Sequence, residues 1–263
     1  SGFGGSVSAL RLAEKGYKVV VLEQGNRVTP LDMEEASKSI TGLMWMPWLG
    51  LKGFFTQNFY KHLSIVGGVG VGGGSIVYAA VLLRPKDEFY SDPSWSGLGI
   101  DWKKELGPHY DTASRMLGVT TNPSLDIMDE YLKKTAKKMG ALTTFGAVNN
   151  GIYFGTPEVT RDDPFFDGMG PSRDGCHLCG ECLTGCRHGS KNTLDKNYLY
   201  LAEKLGATVL LEVGPGNTLS TLARQRLRAN GEADVTVLHS LRHARQEVED
   251  GATVGEALGR LWS

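Results

Sequence analysis

Four cysteines fall within eleven residues: Cys176, Cys179, Cys182 and Cys186. The spacing C-x2-C-x2-C-x3-C is that of thiolates holding a cubane 4Fe-4S cluster, so an iron–sulfur centre is one expectation for this run. Arg187 stands where proline closes such runs, and no second run supplies the partner cluster. Zinc held by four thiolates is a second expectation, although paired C-x2-C motifs usually lie further apart. A disulfide-closed loop or plain buried thiols is a third. In each case the clustering marks a local site rather than a disulfide framework spread over a secreted fold.

A second kind of chemistry is written in glycine. Ser1-Gly2-Phe3-Gly4-Gly5-Ser6 runs into a helical pattern, and Lys18-Val19-Val20-Val21-Leu22-Glu23 follows as a β-branched strand ending in an acid. This order fits the second half of a dinucleotide-binding βαβ unit. Gly2 would let the backbone approach a pyrophosphate, Gly5 would let helix and strand pack closely, and Glu23 would accept the ribose hydroxyls. The apolar strand that precedes such a loop is not in the sequence, so the chain is expected to begin inside the motif. Residues 67–75, Gly-Gly-Val-Gly-Val-Gly-Gly-Gly-Ser, form a denser glycine segment, followed by a strand-like 76–82. Ordering so many glycines costs backbone entropy, which close contact with a flat or phosphorylated ligand would offset. A flexible linker is the alternative, but apolar residues flank the segment on both sides.

The elements that would position these groups are legible in outline. Val7, Ala9, Leu10, Leu12 and Ala13 give an apolar helix face closed by Gly16. Residues 31–39 read as a polar helix, and 40–49, rich in Trp and Met, as a buried packing segment or a lid over an apolar substrate. Asp101 caps a helix expected to break at Gly107-Pro108. A further helix over 127–139 sets Met128, Tyr131 and Leu132 opposite four lysines, and one over 194–205 carries Leu194, Tyr198, Leu201 and Leu205 in phase. The strand 208–213 follows.

The 263 residues carry a formal net charge of −1, which gives no electrostatic argument for nucleic acid or an anionic membrane. The most apolar region, 40–59, is interrupted by Pro47, Lys52 and glycines and is no transmembrane span. The chain is expected to be soluble and cytoplasmic. No residue pattern speaks to its oligomeric state.

Together, Ser1-Gly2-Phe3-Gly4-Gly5-Ser6, Glu23 and Gly70-Val71-Gly72-Gly73-Gly74-Ser75 resemble the glucose–methanol–choline family of flavoprotein oxidoreductases, in its cholesterol-oxidase-like branch. The cysteine run and the following Arg187 to Leu199 stretch also occur in that branch. The resemblance covers residues 1–207. It implies an α/β fold with an FAD/NAD(P)-binding, Rossmann-like three-layer domain, here truncated at both ends, and hydride transfer from an alcohol or sterol CH–OH to flavin. It also implies cofactor contacts at Gly2, Phe3, Gly4, Gly5, Glu23, Gly70, Gly72, Gly73, Gly74 and Ser75. Ile76-Val77 stands where some relatives carry a flavin-linking histidine, so FAD is expected to be bound non-covalently. The family's catalytic histidine lies in a C-terminal half expected to be absent, so no catalytic residue is nominated and the chain is expected to be inactive alone.

From Thr208 onward there is no Lys, Phe, Tyr, Met or Cys. Residues 210–225, 240–243 and 257–262 resemble the end of a polyketide-synthase acyltransferase domain and its linker, without the G-x-S-x-G nucleophile motif. The expected division is therefore 1–207 as flavin-binding region and 208–263 as an acyltransferase remnant, with a divergent flavoprotein ending as the alternative. Two other functions remain open: an iron–sulfur or metal-binding electron-transfer module, and an interaction segment of a polyketide assembly line.

Overall fold

The structure is a computed structural model and describes residues 1–211. The resemblance noted for 212–263 lies outside the described residues. In chain order the principal elements are α1 (Phe3–Glu14), β1 (Val20–Glu23), α2 (Pro30–Lys38), β2 (Phe55–Phe59), β3 (Ser64–Gly68), α3 (Trp102–Met116), β4 (Val119–Thr121), α4 (Ile127–Lys138), β5 (Asn149–Gly151), α5 (Tyr198–Lys204) and β6 (Thr208–Leu211). No helix among the described residues is long and apolar enough to cross a membrane.

The helix α1 buries Ser6, Ala9, Leu10 and Ala13, which share one face at helical spacing. That face packs on α5, whose Tyr198, Leu199, Leu201 and Ala202 are buried. Val7, by contrast, is exposed. Gly16 ends α1 at φ +84°, where its N–H donates to Ala13 O. The chain then enters β1, which pairs in parallel with β6 in the register Val20↔Thr208 to Glu23↔Leu211. Val71, Met116, Leu117 and Leu194 complete this first core. A second core joins Met33, Ala36, Phe54, Phe55, Ile76 and Val77.

This is a mixed α/β structure. Its strands among the described residues form two-stranded pairs, including the antiparallel hairpin β2–β3 and the antiparallel pair β4–β5, between whose strands α4 intervenes. A parallel pair of two strands falls short of the wide central sheet that a three-layer Rossmann-like arrangement requires.

Four local expectations are corrected. Residues 76–82 are not a strand: a 3-10 turn over Gly73–Ile76 is followed by a bend in which Ala80 has φ +66°. Tertiary hydrogen bonds to the carbonyls of Ile76 and Tyr78 override the β-branched preference there. The Trp/Met stretch is not buried throughout. Leu43 and Met44 pack on the second core, but Trp48 is 76 % exposed, because the chain reverses through Pro47–Leu49 and the left-handed Gly50. Finally, α3 runs unbroken through Pro108, while Met128, Tyr131 and Leu132 of α4 face solvent.

The glycine segment passes between the two cores at backbone contact. A Cβ on Gly73 would lie 2.7 Å from Gly2 Cα, and one on Gly25 would lie 2.5 Å from Gly70 N. A Gly25→Ala substitution should therefore cost about 1–3 kcal/mol by forcing backbone apart. Gly4→Ala, with nothing within 4 Å of the added carbon, should stabilise α1 by about 0.5 kcal/mol. Urea denaturation of both variants checks the contrast.

Candidate functional site

The first site lies where α1 begins. Gly2 is the N-cap, with φ −70° and ψ −168°, and no side chain caps the helix; its first turn carries no acid. A Cβ built on Gly2, Gly4 or Gly5 meets nothing within 4 Å. Helix N-terminal amides bounded by glycine on this side leave room for an anionic group against the backbone. Gly5 was expected to permit close helix–strand packing. The structure corrects this: the close approaches are at Gly73 and Gly25 instead, and Gly5 is open.

Glu23 ends β1 beside this loop and is 7 % exposed. Its Oε2 accepts from the Ser1 nitrogen at 2.9 Å and from Ser1 Oγ at 2.6 Å, and its Oε1 accepts from Gly25 N at 3.1 Å. Ser1 Oγ in turn accepts from Gly72 N at 3.0 Å. A single carboxylate thus ties the first loop, the strand end and the glycine segment together. Oε1, with one donor, keeps acceptor capacity for a further hydroxyl. Phe3 stands edge-on to Tyr78 with ring centroids 6.2 Å apart. Gly70, Gly72 and Gly73 adopt φ of +150°, +103° and +52°, the region that favours glycine. Ser75 is fully buried; its Oγ donates to Gly72 O at 2.7 Å and accepts from Leu194 N at 3.0 Å, so the hydroxyl shapes the turn. The structure therefore gathers Gly2, Phe3, Glu23, Gly70, Gly72, Gly73, Gly74 and Ser75 into one region, with Gly4 and Gly5 on the exposed first turn of α1.

The four cysteines line a separate cavity of about 190 Å³ together with Asn150, Ile152, Phe154, His177 and His188. The iron–sulfur and zinc expectations for Cys176, Cys179, Cys182 and Cys186 find no support in this arrangement. No three His, Cys, Asp or Glu side chains among the described residues come together as a metal would require, and all four thiols are free. The cause is local. Cys176 Sγ is turned to its own loop, accepting from Leu178 N at 3.4 Å, while Cys179 is exposed and left-handed Gly180 and Gly185 bracket the short turn that carries Cys182. Burial pushes the Cys176 and Cys182 thiols up from the ordinary thiol range. His177 and His188 stack with centroids 3.9 Å apart.

Lys191, in the wall of the cavity, and Arg173 are two buried cations that sequence reasoning missed. Arg173 is 2 % exposed and donates to Gly189 O, Ser190 O and Lys191 O and to the Asn192 amide oxygen. Lys191 is 0 % exposed, and its Nζ donates to Ile76 O at 2.6 Å, Tyr78 O at 3.0 Å and Cys182 O at 2.6 Å. Burial lowers Lys191 to about 8 and Arg173 to about 10. Burial also raises Tyr78, whose hydroxyl donates to Asn192 O at 3.1 Å. The run Ser190-Lys191-Asn192-Thr193 has no apolar periodicity, so nothing in its pattern marked it as core.

No protein-family model matches the chain. A cholesterol oxidase of Mycobacterium tuberculosis (strain ATCC 25618 / H37Rv) is 47 % identical over 215 residues, which is 80 % of this chain and 37 % of that protein. One from Acinetobacter baumannii is 46 % identical over 217 residues, 81 % of this chain and 39 % of its own. This chain carries a cholesterol-oxidase-like segment of the glucose–methanol–choline (GMC) family. Two more distant relatives agree. A long-chain-alcohol oxidase of Arabidopsis thaliana is 30 % identical over 216 residues, 80 % of this chain and 25 % of its own. An uncharacterized GMC-type oxidoreductase of M. tuberculosis is 27 % identical over 221 residues, 80 % of this chain and 30 % of its own. The chain thus spans less than two fifths of the length of these relatives.

Two outcomes follow for the cysteine side of the GMC segment. The native protein should react with a thiol reagent as four free thiols, Cys179 first because it is exposed, and Cys176 and Cys182 later because burial holds them protonated. His188 is lowered from the usual imidazole value of 6.5, first by burial and then by His177 and Arg187. The folded state therefore disfavours the imidazolium, and this contribution to stability is complete above 6.5 and declines as pH falls below it. An NMR titration should place the His188 midpoint below 6.5 and move it up in His177→Gln.

Proposed function

We propose that the GMC segment binds FAD non-covalently across the start of α1 and the glycine segment, and serves the oxidation of an alcohol, a sterol being the first candidate. The observation that carries this reading is the start of α1: no cap, no acid in the first turn, and open space over Gly2, Gly4 and Gly5. These residues fit a pyrophosphate held by backbone N–H groups and the positive end of the helix dipole. Glu23 would accept from a ribose hydroxyl through Oε1. The backbone of 72–74, bare of side chains, would lie along the flavin. FAD held there would supply a hydride acceptor for the alcohol carbon. This chain's own part is to hold and orient the cofactor.

The relatives' names, cholesterol oxidase and long-chain-alcohol oxidase, support an alcohol as substrate. No described residue is assigned as the catalytic base. We further read 1–207 as the flavin-binding region and 208–263 as a separate remnant. Pairing of Thr208–Leu211 with Val20–Glu23 favours moving the end of the flavin side in this reading from 207 to 211.

Titrating the chain with FAD and following flavin fluorescence tests the site. The wild type should bind FAD and release it into the supernatant on acid precipitation. Gly4→Leu, whose side chain meets no protein atom at its Cβ, should keep the far-ultraviolet circular dichroism spectrum and weaken FAD by at least about tenfold. A wild type that binds no flavin overturns the reading.

A further inference from the structure

The FAD reading makes no use of Lys191, although it is among the most deeply buried side chains of the molecule. Its three ammonium protons go to three backbone carbonyls, those of Ile76, Tyr78 and Cys182. The Nζ also stands 5.0 Å from the centre of the Tyr78 ring. None of the ion pairs among the described residues includes it. With all three donors saturated, this ammonium is not available to a ligand.

Burying an ammonium without a counter-charge is expensive, and a hydrocarbon side chain of the same length would fill the volume without that cost. What a hydrocarbon could not do is satisfy the carbonyls. Ile76 ends the 3-10 turn Gly73–Ile76 and Tyr78 lies just beyond it, where no strand partner supplies donors for their carbonyls. The preceding glycines confer little stiffness of their own, so the position of 72–75 depends on pins at its two ends. One pin is the pair of bonds from Gly72 N to Ser1 Oγ and from Val71 N to Asn26 O. At the other end Ser75 Oγ accepts from Leu194 N, and Lys191 holds the carbonyls that follow.

We propose that Lys191 is the positioning residue of the flavin-facing glycine segment, its ammonium fixing the carbonyls of Ile76 and Tyr78 and fastening them to the cysteine turn through Cys182. The proposal rests on the reading that 72–75 contacts FAD. It assigns the cysteine turn a mechanical part in the cofactor site, as the abutment to which the glycine segment is tied. Arg173 supports the arrangement from behind by holding Lys191 O and its neighbours.

The test compares wild type, Lys191→Met and Lys191→Arg by amide hydrogen exchange of the full chain and by FAD titration. Lys191→Met keeps the methylene packing and removes the donors. It should raise exchange at 74–80 and at 181–184 by about tenfold or more, leave α3 and α5 as protected as in wild type, and weaken FAD by about tenfold. Lys191→Arg should restore part of both. A Lys191→Met chain that fails to fold, or that exchanges faster throughout, overturns the proposal, because it makes Lys191 a support of the whole core. Unchanged exchange at 74–80 overturns it as well. If wild type binds no FAD but exchange rises only in the two named segments, the FAD reading fails while the tie through Lys191 stands.

Discussion

Around the first strand the structure depends on close backbone contacts that leave no room for a side chain. Gly73 lies against Gly2, and Gly25 lies against Gly70. Through these contacts the loop before α1, the turn after β1 and the segment 67–75 form one unit, and Glu23 stitches it with hydrogen bonds to Ser1 and Gly25. The glycines lose more entropy on ordering than other residues would. What offsets the loss is anchoring on both sides, since Val71 is buried in one core and Ile76 and Val77 in the other. The segment that the proposed chemistry needs bare of side chains is thus also the joint between the two halves of the described fold. Substitutions there would confuse stability with binding, whereas the open face of Gly4 separates the two.

Much of this was legible in the residues. The α1–β1 unit, its closing Gly16 and the acid at the strand end follow from periodicity and turn chemistry, which are local rules. The ordering of the glycine segment was legible too, because its flanks are apolar. Other features depend on contacts distant in sequence. The strand expected over 76–82 loses to hydrogen bonds from Lys191, more than a hundred residues away in sequence. The Trp/Met stretch was expected to be buried because composition favours it, yet composition cannot see that Pro47–Leu49 and Gly50 form the tip of a turn. Gly5 satisfied a motif position whose packing partner, among the described residues, is absent.

The cysteine run shows a different limit. Spacing along a chain fixes how far apart thiols can be, but convergence on one point depends on the backbone between them. Here Leu178 at φ +53°, Gly180 at +75° and Gly185 at +107° turn the segment so that the thiols line a cavity without closing on a centre. The residues that organise this neighbourhood, Arg173 and Lys191, carry charges, and charged side chains are rarely expected at the bottom of a core.

Electrostatics agrees with the geometry. Cations this close would ordinarily favour thiolates, and Lys191 does act in that direction on Cys182, but burial is the larger effect and the thiol is raised. The carbonyl dipoles that saturate both cations explain why their field is spent locally. At neutral pH, then, Lys191 and Arg173 are charged while Cys176 and Cys182 are protonated, and soft-metal ligation would first require those protons to leave. The same groups act in opposite senses at high pH. Between about 8 and the ordinary lysine value of 10.5, the unfolded chain binds a proton that folded Lys191 has lost, so its contribution to stability rises. Above the ordinary thiol value of 9.0 the folded chain retains protons on Cys176 and Cys182 that the unfolded chain releases, so theirs falls. The cavity therefore holds its cations and its neutral thiols together most comfortably near neutrality, the condition in which the lysine can keep all three carbonyls in place.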